Sequence, residues 1–83
     1  MKPLTQYGRM ADKHWREFLP KMVAELEAKG QLRAMLLEAQ EQTAKELDSL
    51  CRHFLQQGLT AQQAQHRAWE IVRERYIFLP PET

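Results

Sequence analysis

The chain reads as an all-α protein, an antiparallel bundle of three to four helices with one long central helix. Three observations predict this. Glycine and proline are scarce, at 3 and 4 residues, and apart from Gly8 they fall between apolar-periodic segments rather than inside them. Within each segment apolar residues recur three and four positions apart, the spacing of one helix face. Strand patterning is negligible, apart from the run Tyr76-Ile77-Phe78-Leu79, which is compatible with an extended segment.

Taken in order, Lys2-Pro3-Leu4 is an extended lead-in, residues 1–4. Thr5 is the expected N-cap of a first helix over 5–19, its hydroxyl accepting from an amide two or three residues on. Tyr7, Met10, His14 or Trp15, and Phe18 form the apolar face of that helix, and Gly8 weakens its first turn. Pro20 ends this helix and serves as the first residue of a second, over 20–29, with Met22, Val23 and Leu26 as its stripe. Gly30 suits the left-handed residue that closes it.

The third helix, 31–57, is the spine. Leu32, Met35, Leu36, Ala39, Thr43, Leu47, Leu50, Cys51 and Phe54 follow one stripe, which assigns Cys51 to the core. Glu41 and Lys45 sit at i, i+4 on its outer side. Gly58 stops it. Thr60 and Gln63 then match a capping box opening a fourth helix over 60–77. Ala61, Ala64, Ala68, Val72 and Tyr76 line that helix, and its small alanines permit close approach to a neighbour. Pro80-Pro81 leaves a short polar tail, 80–83.

At 83 residues the chain forms one domain, 1–83, with a core so small that a buried catalytic cleft would compete with it for apolar residues. A protein partner, or a second copy as homodimer, would relieve that shortage. The formal net charge is +1, which gives no global attraction to nucleic acid or to an anionic membrane. It is unevenly spread, with residues 1–20 at net +2, 21–50 at −2 and 51–83 at +1. A single cysteine, Cys51, rules out an intrachain disulfide and fits a reducing compartment. With no signal-like apolar run and no membrane-length segment, the expected location is cytoplasmic.

The candidate partner or DNA surface lies on the first helix. Arg9, Lys13 and Arg16 stand at i, i+4 and i+7, with Lys2 in reach, and such a row can meet phosphates. The competing reading is a solvated face opposite Tyr7, Met10 and Phe18. The helical spacing of Tyr7, Trp15, Phe18, Phe54, Trp69, Tyr76 and Phe78 assigns them to the core, with a half-exposed partner anchor as the alternative for Trp15, which lies beside the stripe. Arg67, Arg73 and Arg75 with His66 form a second basic set, but Glu70 and Glu74 are interleaved and cancel most of its field. His66 and Glu70 at i, i+4 lack a third ligand of matching geometry, so no metal site is expected. His53 lies on another face from Cys51 and does not activate it. No cofactor and no small-molecule substrate are implied, and the chain is not expected to be an enzyme.

Several segments resemble the small TnpV family encoded on bacterial transposons and other mobile elements. They are Tyr7-Gly8-Arg9-Met10, the His14-Trp15 to Pro20 stretch, Lys29-Gly30-Gln31-Leu32, and Glu70-Ile71-Val72 followed by Tyr76, together spanning roughly residues 7–76. The chain starts almost at Tyr-Gly-Arg, and its Ile77-Phe78-Leu79-Pro80-Pro81 end differs from the family pattern. The resemblance implies an accessory protein of a mobile element that touches DNA or a recombinase, and it carries no catalytic residue over. The expected function is therefore a non-enzymatic helical interaction module binding a protein partner. The alternative is a weak DNA-binding accessory working through the basic stripe.

Overall fold

A computed structural model describes residues 3–82. Among them are four helices and no strand: α1 (Gln6–Phe18), α2 (Pro20–Ala28), α3 (Leu32–Gln56) and α4 (Ala61–Tyr76). α3 has 25 residues, a rod of about 37 Å.

The connections follow from local chemistry. Leu19 cannot continue α1, because its next residue is Pro20, which opens α2 at N1. Gly30 and Gly58 are the two positive-φ positions, at 68° and 99°, and each lets the chain leave a helix in the left-handed conformation. The capping box forms at α4, with Gln63 N donating to Thr60 Oγ1 at 3.2 Å and Thr60 N donating to Gln63 Oε1 at 3.1 Å.

Contacts between the helices fix their directions. The Gly58 turn folds α4 back along α3, and Arg75 meets Glu46 at 2.8 Å. The Tyr7 ring packs on Trp69 at a centroid distance of 5.6 Å, and Trp15 Nε1 donates to Ile77 O at 3.1 Å. α1 therefore runs parallel to α4, and both run antiparallel to α3. The buried core gathers Ala11, Trp15, Leu19, Val23, Leu32, Leu36, Ala39 and Ile77. Between α3 and α4 it continues through Thr43, Ala64, Ala68 and Val72, where the alanines permit the close approach. The buried Thr43 hydroxyl donates back to Ala39 O at 2.7 Å, so burial leaves it satisfied.

Two local expectations are corrected. Thr5 occupies the N-cap of α1, but its hydroxyl caps no amide. It donates instead to Gln40 Oε1 at 3.2 Å, which also accepts from Thr5 N at 2.7 Å. Gln40, buried on α3, thus holds Thr5 at the start of α1. Gly8 is the other correction. It is the crossing point rather than a flaw, for a Cβ there would run into Gln40 Oε1 and come within 2.8 Å of the Leu4 side chain. The absent side chain is what lets α1 lie down on α3.

The tail beyond Pro80-Pro81 is not free. Glu82 N donates to Phe18 O at 2.9 Å, and the Glu82 carboxylate accepts from Lys21 N at 3.0 Å and Met22 N at 3.1 Å. Leu19, the N-cap of α2, has no side-chain oxygen to offer those amides. A carboxylate from the far end of the chain does the capping and sits at the positive end of the helix dipole.

The bundle is flattened. Its principal extents are 47 × 33 × 14 Å and its Cα radius of gyration is 14.3 Å, where a compact chain of this length comes to about 12 Å. The reason is a mismatch of lengths: α1 has 13 residues and covers only the first half of α3.

Candidate functional site

The mismatch leaves a groove where α1 begins and the α3–α4 hairpin runs on alone. Gln6, Tyr7 and Met10 of α1, Leu47, Asp48 and Cys51 of α3, and Gln65 and Trp69 of α4 line about 630 Å³ of open space. On α3, Cys51 follows Leu47 by four residues and Leu55 follows Cys51 by four, so the three form one row on the flank that α1 would cover if it were longer. Leu47 and Cys51 are half-buried and Leu55 is 47% exposed. The walls are apolar and the rim is polar, the composition of a site that takes an apolar side-chain row and fixes it by a few hydrogen bonds.

A shallower depression follows on the same flank of α1, lined by Met10, Lys13, His14, Glu17 and Phe78. Its back wall is well tied down. The His14 ring lies 4.6 Å from Phe18 and 5.2 Å from Phe78, and His14 Nε2 is 2.9 Å from Leu79 O. Met10 is shared by both depressions and links them.

The structure separates the sequence-derived candidates. Trp15 is corrected: it is 3% exposed and anchors the core, with its indole N–H used on Ile77 O. It offers no surface to a partner, because the tail covers the side on which it was expected to show. Arg16 bonds Asp12 at 2.8 Å and Glu27 at 3.2 Å, and that hydrogen bond with Asp12, reinforced by the carboxylate charges, raises its already high pKa. Arg16 is thus engaged in bracing α1 against α2. Arg9 and Lys13 are exposed and make no ion pair among the described residues. Lys2 lies outside the described residues.

Ion pairs also form on α3 and α4. Arg52 pairs with Asp48 at 3.0 Å and His66 with Glu70 at 3.0 Å. Glu46 Oε1 takes Arg75, while Oε2 is shielded from solvent with no well-formed bond among the described residues. A loose hydrogen bond to Glu46, then burial and the carboxylate charge, raises the Tyr76 phenol above its ordinary value against the opposing pull of Arg75. Among the described residues no group of three or more His, Cys, Asp or Glu is placed to hold a metal ion. No helix there is long and apolar enough to cross a membrane.

Sequence periodicity assigns Tyr7, Leu47, Cys51 and Trp69 to the core, and that assignment misses the groove. The stripe of α3 looks continuous, yet its second half has one neighbour instead of two. A length comparison carries the signal: a 25-residue helix beside a 13-residue one must leave about half its flank open. No protein-family model, curated protein or solved structure matches the chain. The TnpV resemblance therefore rests on its short sequence segments.

Proposed function

We propose that the chain is a non-enzymatic helical interaction module, and that the groove between the start of α1 and the α3–α4 hairpin receives a protein partner. One observation carries the reading: Tyr7, Met10, Leu47, Cys51 and Trp69 line an open apolar slot in a chain otherwise short of core. Apolar walls with a polar rim suit an amphipathic helix laid into a groove. The mobile-element setting implied by the TnpV resemblance supplies a context for such an accessory role, and a recombinase or transposase encoded next door would strengthen it.

Met10 joins both depressions, so Met10→Glu is the direct test. The variant should keep its helical circular dichroism and lose a partner that the native chain retains in affinity capture. Alkylation of Cys51 should slow when that partner is bound. A partner held equally well by Met10→Glu, with Cys51 still freely labelled, would remove the groove from the reading.

A second reading has its own observation, the exposure of Arg9 and Lys13 without ion pairs among the described residues. On it the chain contacts DNA phosphates weakly. Two phosphate contacts predict a shallow salt dependence, with a log–log slope of about −2. Arg9→Glu with Lys13→Glu should abolish any low-salt mobility shift, and no shift for the native chain with element-end DNA rules the reading out.

A further inference from the structure

We propose that residues 79–82 form a strap that lifts from α1 and α2 as one unit while the four helices stay folded, and that lifting opens a groove the strap itself fills. The hinge is set by what holds the residues just before it. Ile77 N and Phe78 N both donate to Arg73 O, at 3.0 and 2.7 Å. Ile77 is fully buried, and Trp15 Nε1 donates to its carbonyl. Residues 77 and 78 therefore stay with α4 and the core.

Beyond Phe78 the attachment changes character. Leu79 is half-buried, and Pro80, Pro81 and Glu82 are exposed. Hydrogen bonds hold them: His14 Nε2 donates to Leu79 O, Glu82 N donates to Phe18 O, and Lys21 N and Met22 N donate to the Glu82 carboxylate. Little buried apolar area and bonds open to solvent mark a segment that opens at low cost. The link between the two attachment points is stiff, because each proline fixes its own φ and restricts the residue before it to extended backbone. A stiff link makes the two ends let go together.

The surface is hollow on both sides of the strap. About 330 Å³ lies beside Glu17, Phe18 and Lys21, and about 480 Å³ lies beside His14, Arg73 and Phe78. Pro81 is a wall of both. Lifting the strap removes that wall and joins the two hollows into one groove. It runs from Arg73 on α4, past the His14 and Phe18 rings, to Lys21 and the freed amides at the start of α2.

The test is native-state amide exchange on the full chain. The amides of Lys21, Met22 and Glu82 should open with one common free energy, smaller than that of the α3–α4 amides and nearly independent of denaturant, since little surface is exposed. His14→Phe keeps a ring between Phe18 and Phe78 but removes the bond to Leu79 O. It should speed exchange at Lys21 and Met22 about fivefold, the loss of one hydrogen bond, although His14 bonds neither amide. Glu82→Ala should speed exchange at position 82 itself, whose bond to Phe18 O does not involve the carboxylate. The same variant should raise the rate at which diethyl pyrocarbonate modifies His14, with the exposed His53 and His66 as internal references. Lys21 and Met22 rates untouched by His14→Phe mean that the ends act separately and overturn the proposal. So does exchange of the three strap-linked amides only on global unfolding. If His14→Phe loosens the α3–α4 amides as well, the Glu82→Ala measurement decides: unchanged exchange at position 82 overturns the proposal.

Discussion

The two halves of α3 are built from similar residues and live in different surroundings. Around residues 32–43, α1, α2, α4 and the C-terminal tail close over Leu32, Leu36, Ala39 and Thr43, all buried. Around residues 47–56 α4 packs on one side and the start of α1 only edges the groove beside Leu47 and Cys51, and Leu47, Leu50, Cys51 and Phe54 stay half-buried. The apolar period is the same in both. The difference is the number of neighbouring helices, and it turns one half into scaffold and the other into surface.

The largest test of this contrast is a matched pair of truncations. Trp15→Ala removes a buried indole and orphans Ile77 O, and should cost about 3–5 kcal/mol; Leu55→Ala, measured on the monomer, should stay within about 0.5 kcal/mol. Chemical denaturation of both variants checks the ratio, and equal costs would erase the distinction between the halves.

Gly8 sharpens the comparison from the closed half. In an exposed helix Gly→Ala stabilises by about 1 kcal/mol, but here the methyl meets Gln40 and Leu4. Gly8→Ala should therefore destabilise by about 1–3 kcal/mol. Removing the harder of the two obstacles should relieve part of the cost, so Gly8→Ala made on a Gln40→Ala background should be less destabilising than on the native one, with the Leu4 side chain still to give way. A double-mutant cycle without coupling would show that the crossing is looser than the contacts require.

Glu82 tests how far the tail contributes. Glu82→Ala removes the carboxylate that caps Lys21 N and Met22 N, at a cost of about 0.5–1 kcal/mol. Hydrogen exchange should accelerate at those two amides and leave the α3–α4 hairpin unchanged.

The smallest effect is alkaline. Because the folded pKa of Tyr76 is raised, its contribution is fully present below the ordinary tyrosine value near 10.0 and is lost as pH climbs through the higher folded value. Tyr76→Phe should flatten this part of the stability–pH curve. A slope that persists in Tyr76→Phe would assign it to another group.

Much of the fold was legible because it depends on short-range physics. Pro20, Gly30 and Gly58 mark where helices must break, and Thr60 with Gln63 announces a cap whose partners are three residues apart. The buried faces of α3 and α4 followed from a period of 3.6. Gln40 was not legible, because a polar side chain on a helix looks solvated until another chain segment arrives with an unsatisfied amide, here Thr5 N. Trp15 was misjudged for a related reason: residues 77–82 lie more than 60 positions away in sequence, and nothing local says that they fold across α1. The groove was hidden because periodicity reports which side of a helix is apolar and is silent on whether anything covers it.

The sequence by itself determined an all-α chain of three to four helices, their stops and their apolar sides, since these rest on backbone geometry and contacts within one or two turns. The tertiary structure decided which of those sides became interior. That depends on where α1 starts relative to α3, on a glycine that lets the two helices touch, and on a glutamate that pins the tail. Each is a meeting of distant residues, and so is the slot left at the far end of α3.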